Sequence, residues 1–306
     1  MNCLVLGGNG FIGRHLCKAL VAAGHDVNAF DLPPREGIGW PEIDNVNWYQ
    51  GDFSSPADLA PLLDGCEAIF HLVSASLPAS SNEDPLCDLQ MNVAASLRLF
   101  DLLITRESPP KVVFASSGGT VYGVPVVVPI PETHPNNPLC AYGVGKLSIE
   151  KYLALYHHLH GLESCVLRLA NPYGAHQSAT GGQGVIAAFL ARALNDQPLE
   201  VWGDGTVVRD YLHVDDVCAA FLKAMTYHGS ERVFNVGSGH GVSLNELIVM
   251  MEELLGKTIV RRFFPGRDCD APVNVLDIRR ANESLDWSPR ISLREGISQL
   301  LGQMKC

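Results

Sequence analysis

The sequence has no apolar run near the roughly 18 residues that a membrane-spanning helix requires. It enters an apolar stretch at once, Cys3 to Leu6, with no basic leader or small-residue cleavage site before it. It also lacks cysteine pairs at metal-ligand or redox-motif spacing: the nine cysteines, at 3, 17, 66, 87, 140, 165, 218, 269 and 306, are scattered and odd in number. That pattern excludes a disulfide framework, implies no metal, and reads as reduced thiols in a cytoplasmic protein. Positive charge is scarce, since 22 Lys and Arg stand against 33 Asp and Glu for a formal −11. Nucleic acid and anionic membrane bind basic faces and are thereby excluded as main partners, although a local basic pocket for a phosphorylated ligand is not. Charged residues make up 18% and hydrophobic residues 47% of the 306 positions, which excludes a mainly disordered chain. Internal repeats and low-complexity segments are absent as well.

What the sequence does contain is an alternation of short apolar runs and helical patterns. Runs at 2–7, 27–31, 46–50, 68–73, 112–116 and 164–169 predict strands. Between them, 11–23, 57–63, 89–105 and 142–158 predict helices, the first stopped by Gly24, which takes a left-handed conformation cheaply. Strands separated by helices must pair in parallel, because each crossover returns the chain to the same end of the sheet. The expected fold is α/β, a doubly wound parallel sheet with ligands at the carboxyl ends of its strands. Beyond Asn171 the rhythm breaks: 171–212 is rich in Gly and Pro, and 257–306 predicts short irregular pieces. A helix at 214–225 and a strand at 233–236 rejoin the main sheet, giving a large lobe of 1–170 plus 213–240 and a smaller discontinuous lobe of 171–212 plus 241–306.

Gly7-Gly-Asn9-Gly10-Phe11-Ile12-Gly13 follows the first strand and opens the first helix. Glycines 7, 10 and 13 tighten the turn, let backbone approach a pyrophosphate and let helix pack on strand, while the helix N-terminus turns its N–H groups towards negative charge. Asp31 ends the second strand 18 residues beyond Gly13, the place of an acid that accepts from a ribose diol. A carboxylate there repels a 2′-phosphate and selects NAD over NADP, while Arg35 nearby pulls the other way. Taken singly, the glycines also read as a tight turn and Asp31 as a solvated loop residue. Gly51-Asp52 after the third strand reads equally as an adenine contact or as an Asx turn.

Tyr142 and Lys146 lie four apart on an expected helix and share a face; of eight tyrosines, only this one has a lysine four residues on. One reading is an exposed helical pair. The other is a phenol whose pKa an adjacent ammonium lowers towards neutrality, able to take a proton from an alcohol while hydride leaves the same carbon. Along the chain stand the glycine turn, Asp31, Asp52, His71-Leu-Val-Ser74, Asn92, Ser116-Ser-Gly-Gly-Thr-Val-Tyr-Gly123, Tyr142 with Lys146, and Arg168-Leu-Ala-Asn-Pro-Tyr-Gly174. Trp202-Gly-Asp-Gly-Thr206, Arg209-Asp-Tyr-Leu-His-Val214 and Asn235-Val-Gly237 continue the series. In this order the motifs resemble the extended short-chain dehydrogenase/reductases over essentially the whole chain, and among them the nucleotide-sugar 4-epimerases of the UDP-glucose/UDP-galactose type.

The resemblance implies a Rossmann-type domain with tightly bound NAD. Its contacts would come from Gly7, Asn9, Gly10, Phe11, Ile12, Gly13, Asp31, Asp52, Phe53, Leu72, Val73, Ser74, Asn92 and Ser116, together with Tyr142 and Lys146. It implies a UDP-sugar substrate held by Asn171, Arg209 and Arg267 at the diphosphate and by backbone around Val201 and Trp202 at the uracil. Guanidinium groups bind phosphate oxygens bidentately and suit that place; without the motifs they would read as surface ion pairs. Asn274 falls where a large residue restricts the sugar pocket and a small one admits an N-acetyl group, and it reads almost as well as a turn cap. A homodimer through the helices at 89–105 and 142–158 is also implied, although their apolar faces could equally serve the core.

One position departs from the family. Ser or Thr most often stands four residues before the Tyr of Val-Tyr-Gly, and here that residue is Gly118. Ser117 and Thr120 are the candidates to supply the hydroxyl, Ser117 the favoured one, with Ser116 either on the cofactor or supporting the strand end. Gly119-Thr120 also lacks the Asp-Glu pair of related dehydratases and the Glu of related decarboxylases. The expected reaction is therefore oxidation at C4 of a UDP-hexose, UDP-glucose or UDP-galactose first, followed by turning of the 4-keto sugar and return of the hydride. The alternatives are epimerisation of a UDP-N-acetylhexosamine or UDP-uronate, reduction or decarboxylation on the same scaffold, and a non-catalytic NAD-binding module.

Overall fold

The computed structural model describes residues 1–34, 39–76, 78, 80–179, 184–266 and 271–304. In chain order come β1 (Asn2–Leu6), α1 (Phe11–Ala22), β2 (Asp26–Asp31), β3 (Val46–Gln50), α2 (Pro56–Leu59), β4 (Ala68–His71), α3 (Pro85–Asp88), α4 (Ala95–Ile104) and β5 (Lys111–Ser117). They are followed by α5 (Ala141–His160), β6 (Ser164–Leu169), β7 (Asn171–Tyr173), α6 (Val185–Leu194), β8 (Leu199–Trp202), β9 (Val208–His213), α7 (Val214–Thr226) and β10 (Val233–Val236). The remainder is β11 (Gly241–Ser243), α8 (Leu244–Leu255), β12 (Arg261–Phe264), β13 (Val273–Asn274), α9 (Arg279–Leu285) and α10 (Leu293–Met304).

The order β10-β6-β5-β4-β1-β2-β3 forms one seven-stranded sheet in which every pairing is parallel, as the alternation of strand and helix predicts. Period-two alternation divides its side chains between two buried cores. Cys3, Val5, Phe70 and Val113 pack with α1 and α7 on one face, and Leu4, Leu6, Ile69 and Val112 pack with α4 and α5 on the other. No helix among the described residues is long and apolar enough to cross a membrane.

Two stretches differ from the sequence expectation. The helix expected over 89–105 is broken: α3 runs into a π-helical turn, Leu89–Ala94, before α4 begins. That turn carries Asn92 inward, where its Oδ1 accepts from the Ala75 N–H at 2.9 Å and pins the chain after β4. The stretches expected to be irregular form a sheet of β11, β9, β13 and β7 and a parallel pair of β8 and β12. Their strands of two to six residues are too short to show a period in sequence. A third core joins them, with Phe189 and Leu190 of α6, Leu247 and Met251 of α8, and Ile297 and Leu300 of α10. Within the last stretch, Ala281, Leu285 and Trp287 return to the core under α1 and α7. The Trp287 indole N–H donates to the Asp216 carbonyl at 3.0 Å, and the Asp216 carboxylate accepts the N–H groups of Arg290 and Ile291, each at 3.0 Å.

Candidate functional site

Strand order reverses between β1 and β4, and at the carboxyl ends of the strands this opens a cleft of about 610 Å³. Its near wall is built by Gly7, Gly10, Phe11, Ile12, Gly13, Leu72, Ser74, Ser116, Ser117, Thr120, Tyr142 and Lys146. Its far wall carries Asn171, Trp202, Arg209 and Asn274. Arg35 and Arg267 lie outside the described residues.

The glycine turn can be made only by glycine at two positions. Gly7 has a φ of +86°, and a Cβ on Gly13 would stand 2.2 Å from the Gly7 carbonyl oxygen. Gly10 precedes α1 without a side-chain cap, so the amides of the first turn are left to a ligand. Asp31 Oδ2 accepts from the Asn9 N–H at 2.8 Å and Oδ1 from the Leu32 N–H at 2.8 Å, bonds that oppose the upward pull of burial on its pKa. Arg14 fixes Asn9 from the other side, Nε to the carbonyl at 2.9 Å and Nη2 to Oδ1 at 2.8 Å. Uncapped amides beside a glycine cradle fit a pyrophosphate, and a carboxylate at the end of β2 fits a ribose diol, so these residues suit NAD. Asp52 Oδ1 accepts from the Ser54 N–H at 2.7 Å in an Asx turn. Phe53 is buried with its ring 4.9 Å from that of His71, and Val73 packs beside the same core.

Helix α5 begins at Cys140 with no side-chain cap of its own, and its first amides are satisfied from the loop after β4. The Ala141 N–H donates to Asn82 Oδ1 at 2.9 Å, and the Tyr142 N–H donates to Ser81 Oγ at 3.0 Å. Gly143 lets this turn approach the Thr120 carbonyl, which a Cβ would meet at 2.9 Å. Tyr142 and Lys146 are thus seated together on the cleft floor, with the phenol in hydrogen-bonding contact with the Ser74 and Ser117 hydroxyls. Lys146 Nζ donates to the Ala115 carbonyl at 2.9 Å and lies 5.6 Å from the Tyr142 ring centroid. The expected acidification of the phenol is not found. Burial pushes Tyr142 up to about 12, reinforced by Cys140 and Asp88, while burial pulls Lys146 down to about 8 against Asp88 and Glu150. The ammonium is bonded to a carbonyl and stands over the ring, leaving the phenol oxygen to the two serines.

A Cβ at Gly118 would meet Leu276 Cδ1 at 2.6 Å, so the hydroxyl usual at that position would require Leu276 to shift. Ser117 contacts the phenol, whereas Thr120 Oγ1 is buried without a partner among the described residues. Ser116 supports the strand end: its hydroxyl donates to Glu150, whose carboxylate pairs with Arg168 at 2.6 Å. Asn274 caps no turn. It lies in β13 opposite Arg209, donates Nδ2 to the Gly118 carbonyl at 3.1 Å, and keeps a buried Oδ1 without a partner among the described residues.

On the far wall, Arg209 Nη1 donates to the Ala271 carbonyl at 2.7 Å and Asn171 Nδ2 to the Asp210 carbonyl at 2.9 Å. The Val201 side chain is buried in the third core, so only its backbone can meet a ligand. Trp202 stacks on Phe264 with centroids 5.2 Å apart. Sequence reasoning missed Tyr211 and Gln177, which line the same wall with the Tyr211 hydroxyl and Gln177 Oε1 buried and without a partner among the described residues. The signal for Tyr211 was present: it lies two residues after Arg209 on β9 and so shares its face.

The family model described as NAD dependent epimerase/dehydratase matches residues 3–237. A UDP-glucose 4-epimerase of Mycolicibacterium smegmatis is 37% identical over 305 residues, spanning 98% of this chain and 97% of that protein. A dTDP-4-dehydro-6-deoxyglucose reductase of Escherichia coli is 33% identical over 311 residues, spanning 99% and 97%. The crystal structure of a UDP-glucose 4-epimerase from Thermotoga maritima with UDP-glucose superposes with a TM-score of 0.93 at 35% identity, covering 100% of this chain and 99% of that one.

Proposed function

We propose, for a chain that belongs to the NAD dependent epimerase/dehydratase family, that it interconverts the C4 epimers of a UDP-hexose, UDP-glucose and UDP-galactose, through a transient 4-keto sugar. One observation carries this reading: Tyr142, Ser117 and Lys146 converge on the floor of one cleft, between a wall that suits NAD and a wall where Arg209, Asn171 and Tyr211 suit a diphosphate. NAD, when bound, supplies the hydride acceptor and a positively charged ring that favours a nearby phenolate. Tyr142 takes the proton of the C4 hydroxyl, and Ser117 orients that hydroxyl through its contact with the phenol. Gly7, Asn9, Gly10, Phe11, Ile12, Gly13 and Asp31 hold the adenosine and pyrophosphate, and Leu72, Ser74, Asn92 and Lys146 hold the nicotinamide half. With Gly119 and Thr120 in place of carboxylates, the 4-keto sugar meets no group to eliminate or decarboxylate it, and the proton path runs in reverse.

In this reading 1–170 plus 213–240 bind the cofactor, and 171–212 plus 241–306 bind the nucleotide sugar, with Asn274 beside the sugar. A homodimer through α4 and α5 is supported by exposed Val144, Tyr152 and Leu155 along an apolar groove on α5. A cytoplasmic setting agrees with seven free cysteines among the described residues.

The test is to incubate the purified protein with UDP-galactose, without added cofactor, and follow UDP-glucose by NMR. UDP-N-acetylglucosamine and UDP-glucuronate, run in parallel, identify the sugar. Failure of all three overturns the assignment. The similarity to the E. coli reductase favours a second reading, for which stoichiometric loss of added NADH or NADPH absorbance with a 4-ketosugar is the signature.

A further inference from the structure

On β9, Arg209 and Tyr211 face the cleft, and Asp210 between them points to the reverse face, where it is fully buried. Its carboxylate is held by four donors. Oδ1 accepts from the Ser238 N–H and from the Ser238 hydroxyl, each at 2.7 Å. Oδ2 accepts from the Leu276 N–H at 3.2 Å and from the Gly239 N–H at 3.3 Å. The successive N–H groups of Ser238 and Gly239 make a concavity for an anion, and Gly237 leaves it open, since a Cβ there would stand 2.4 Å from Oδ2. All four donors are neutral, and a carboxylate taken out of water without a cation depends on every one of these bonds.

The carboxylate ties β9 to two segments outside the strand. Ser238 and Gly239 follow β10, the edge strand of the large sheet, and Leu276 follows β13, two residues beyond Asn274. Across the small sheet, Asn274 lies opposite Arg209 and Asn171 opposite Tyr211. The Asp210 carbonyl accepts from Asn171 Nδ2 at 2.9 Å. A wall that receives an anionic ligand must stay open on its ligand side, and here the bracing comes from behind.

We propose that Asp210 is a positioning residue for the diphosphate of the nucleotide sugar: its buried carboxylate locks β9 from the reverse face and so sets Arg209, Tyr211 and Asn171 at the spacing from which they bind the substrate. The proposal rests on the reading of this wall as the diphosphate site, and not on what the enzyme does to the sugar. Asp210→Asn keeps the size of the side chain but turns an NH2 group towards at least one backbone N–H, so an attractive contact becomes a repulsive one. The strand must then shift, and groups displaced from their ligand lose much of their hold on it.

The experiment measures binding of UDP by calorimetry to the NAD-loaded protein, parent and Asp210→Asn, beside the kinetics with UDP-galactose. We expect UDP to bind on the order of tenfold more weakly in Asp210→Asn, KM for UDP-galactose to rise by the same factor, and kcat and bound NAD to stay within about twofold of the parent. General damage to the fold would instead lower kcat and NAD content and leave the affinity of the folded fraction unchanged, which overturns the proposal. Because Asp210 acts through its neighbours, the same substitution in an Arg209→Ala background should weaken UDP by less than about threefold, and an undiminished loss there overturns it as well. Should Asp210→Asn fail to fold, Ser238→Ala, which removes one donor of the four, should weaken UDP by a few-fold with kcat kept, and an unchanged affinity overturns the proposal. If the parent binds UDP but interconverts no UDP-sugar, the epimerase reading fails while the binding series still decides the role of Asp210. If the parent binds no UDP, the diphosphate wall and this proposal fall together.

Discussion

The Asn274 side-chain amide donates to the Gly118 carbonyl at 3.1 Å, tying the strand nearest the proposed sugar site to the loop that leads from β5 into the cleft. Each partner serves the cleft through what it leaves over. Gly118 yields its side-chain space to Leu276, and Asn274 keeps Oδ1 without a partner. In the proposed reaction the hydroxyl that orients the substrate is supplied one residue earlier, by Ser117, and the tether joins that loop to the sugar wall.

Restoring a hydroxyl at the usual position should accordingly harm the protein. Gly118→Ser places its Cβ 2.6 Å from Leu276 Cδ1 and 3.2 Å from the Arg168 carbonyl oxygen. Overpacking of this kind costs about 1–3 kcal/mol, and the Tm of the NAD-loaded protein should fall by several degrees with no gain in turnover. An unchanged Tm would mean that Leu276 yields freely.

Tyr142→Phe should lower turnover by a factor on the order of 10²–10⁴, the span that general acid–base groups contribute, while the purified protein still carries NAD by absorbance. Ser117→Ala should lose on the order of tenfold or more, being deprived of one hydrogen bond to the reacting group. Thr120→Ala should lose less, with Ser117 as the favoured hydroxyl. Full turnover in Ser117→Ala would return the role to Thr120.

Arg209→Ala should weaken UDP-sugar binding by roughly 10–100-fold, the loss of a charge-assisted hydrogen bond of about 1.5–3 kcal/mol. Tyr211→Phe, which removes only the unpartnered hydroxyl on the same face of β9, should weaken it by a few-fold. Calorimetry on the Tyr142→Phe background reads both without turnover. Equal affinities across the series would detach this wall from the diphosphate.

Stability should decline on the acid side through His71. Its ring is buried, Nε2 lies 2.8 Å from Ser96 Oγ, and burial holds it neutral down to about 3, well below the ordinary 6.5 of a histidine. Because the folded pKa is depressed, the unfolded chain binds the proton first as pH falls. Stability is then complete above pH 6.5 and is lost towards pH 3, at a limiting slope of about 1.4 kcal/mol per pH unit for one proton. Urea midpoints between pH 7.5 and 5 should trace that loss, and His71→Gln should flatten the His71 contribution.

The large sheet was legible because its central strands are apolar runs buried on both faces and its helices carry apolar stripes. The glycine turn was legible because steric need limits Gly7 and Gly13 to one residue type. The pairing of Tyr142 with Lys146 was legible from helical spacing alone. Its electrostatics were not, since the pKa of the phenol depends on burial, which helical spacing does not give. Position after a strand did not announce that the Phe53 side chain is buried in a core. Tyr211 could have been found from its period-two relation to Arg209, and the amphipathic spacing of Ile297, Leu300 and Leu301 would have revealed α10.

The backbone passes between the large sheet and the smaller cores repeatedly. It leaves after β6, returns at α7, leaves again after β10, returns at α9, and departs a last time into α10. Trp287 and the carboxylate of Asp216 stitch one of those returns shut. Each crossing ties the proposed sugar-binding elements covalently to the sheet that carries the cofactor cleft. In the proposed reaction the sugar would then invert by turning about its pyrophosphate between the two walls.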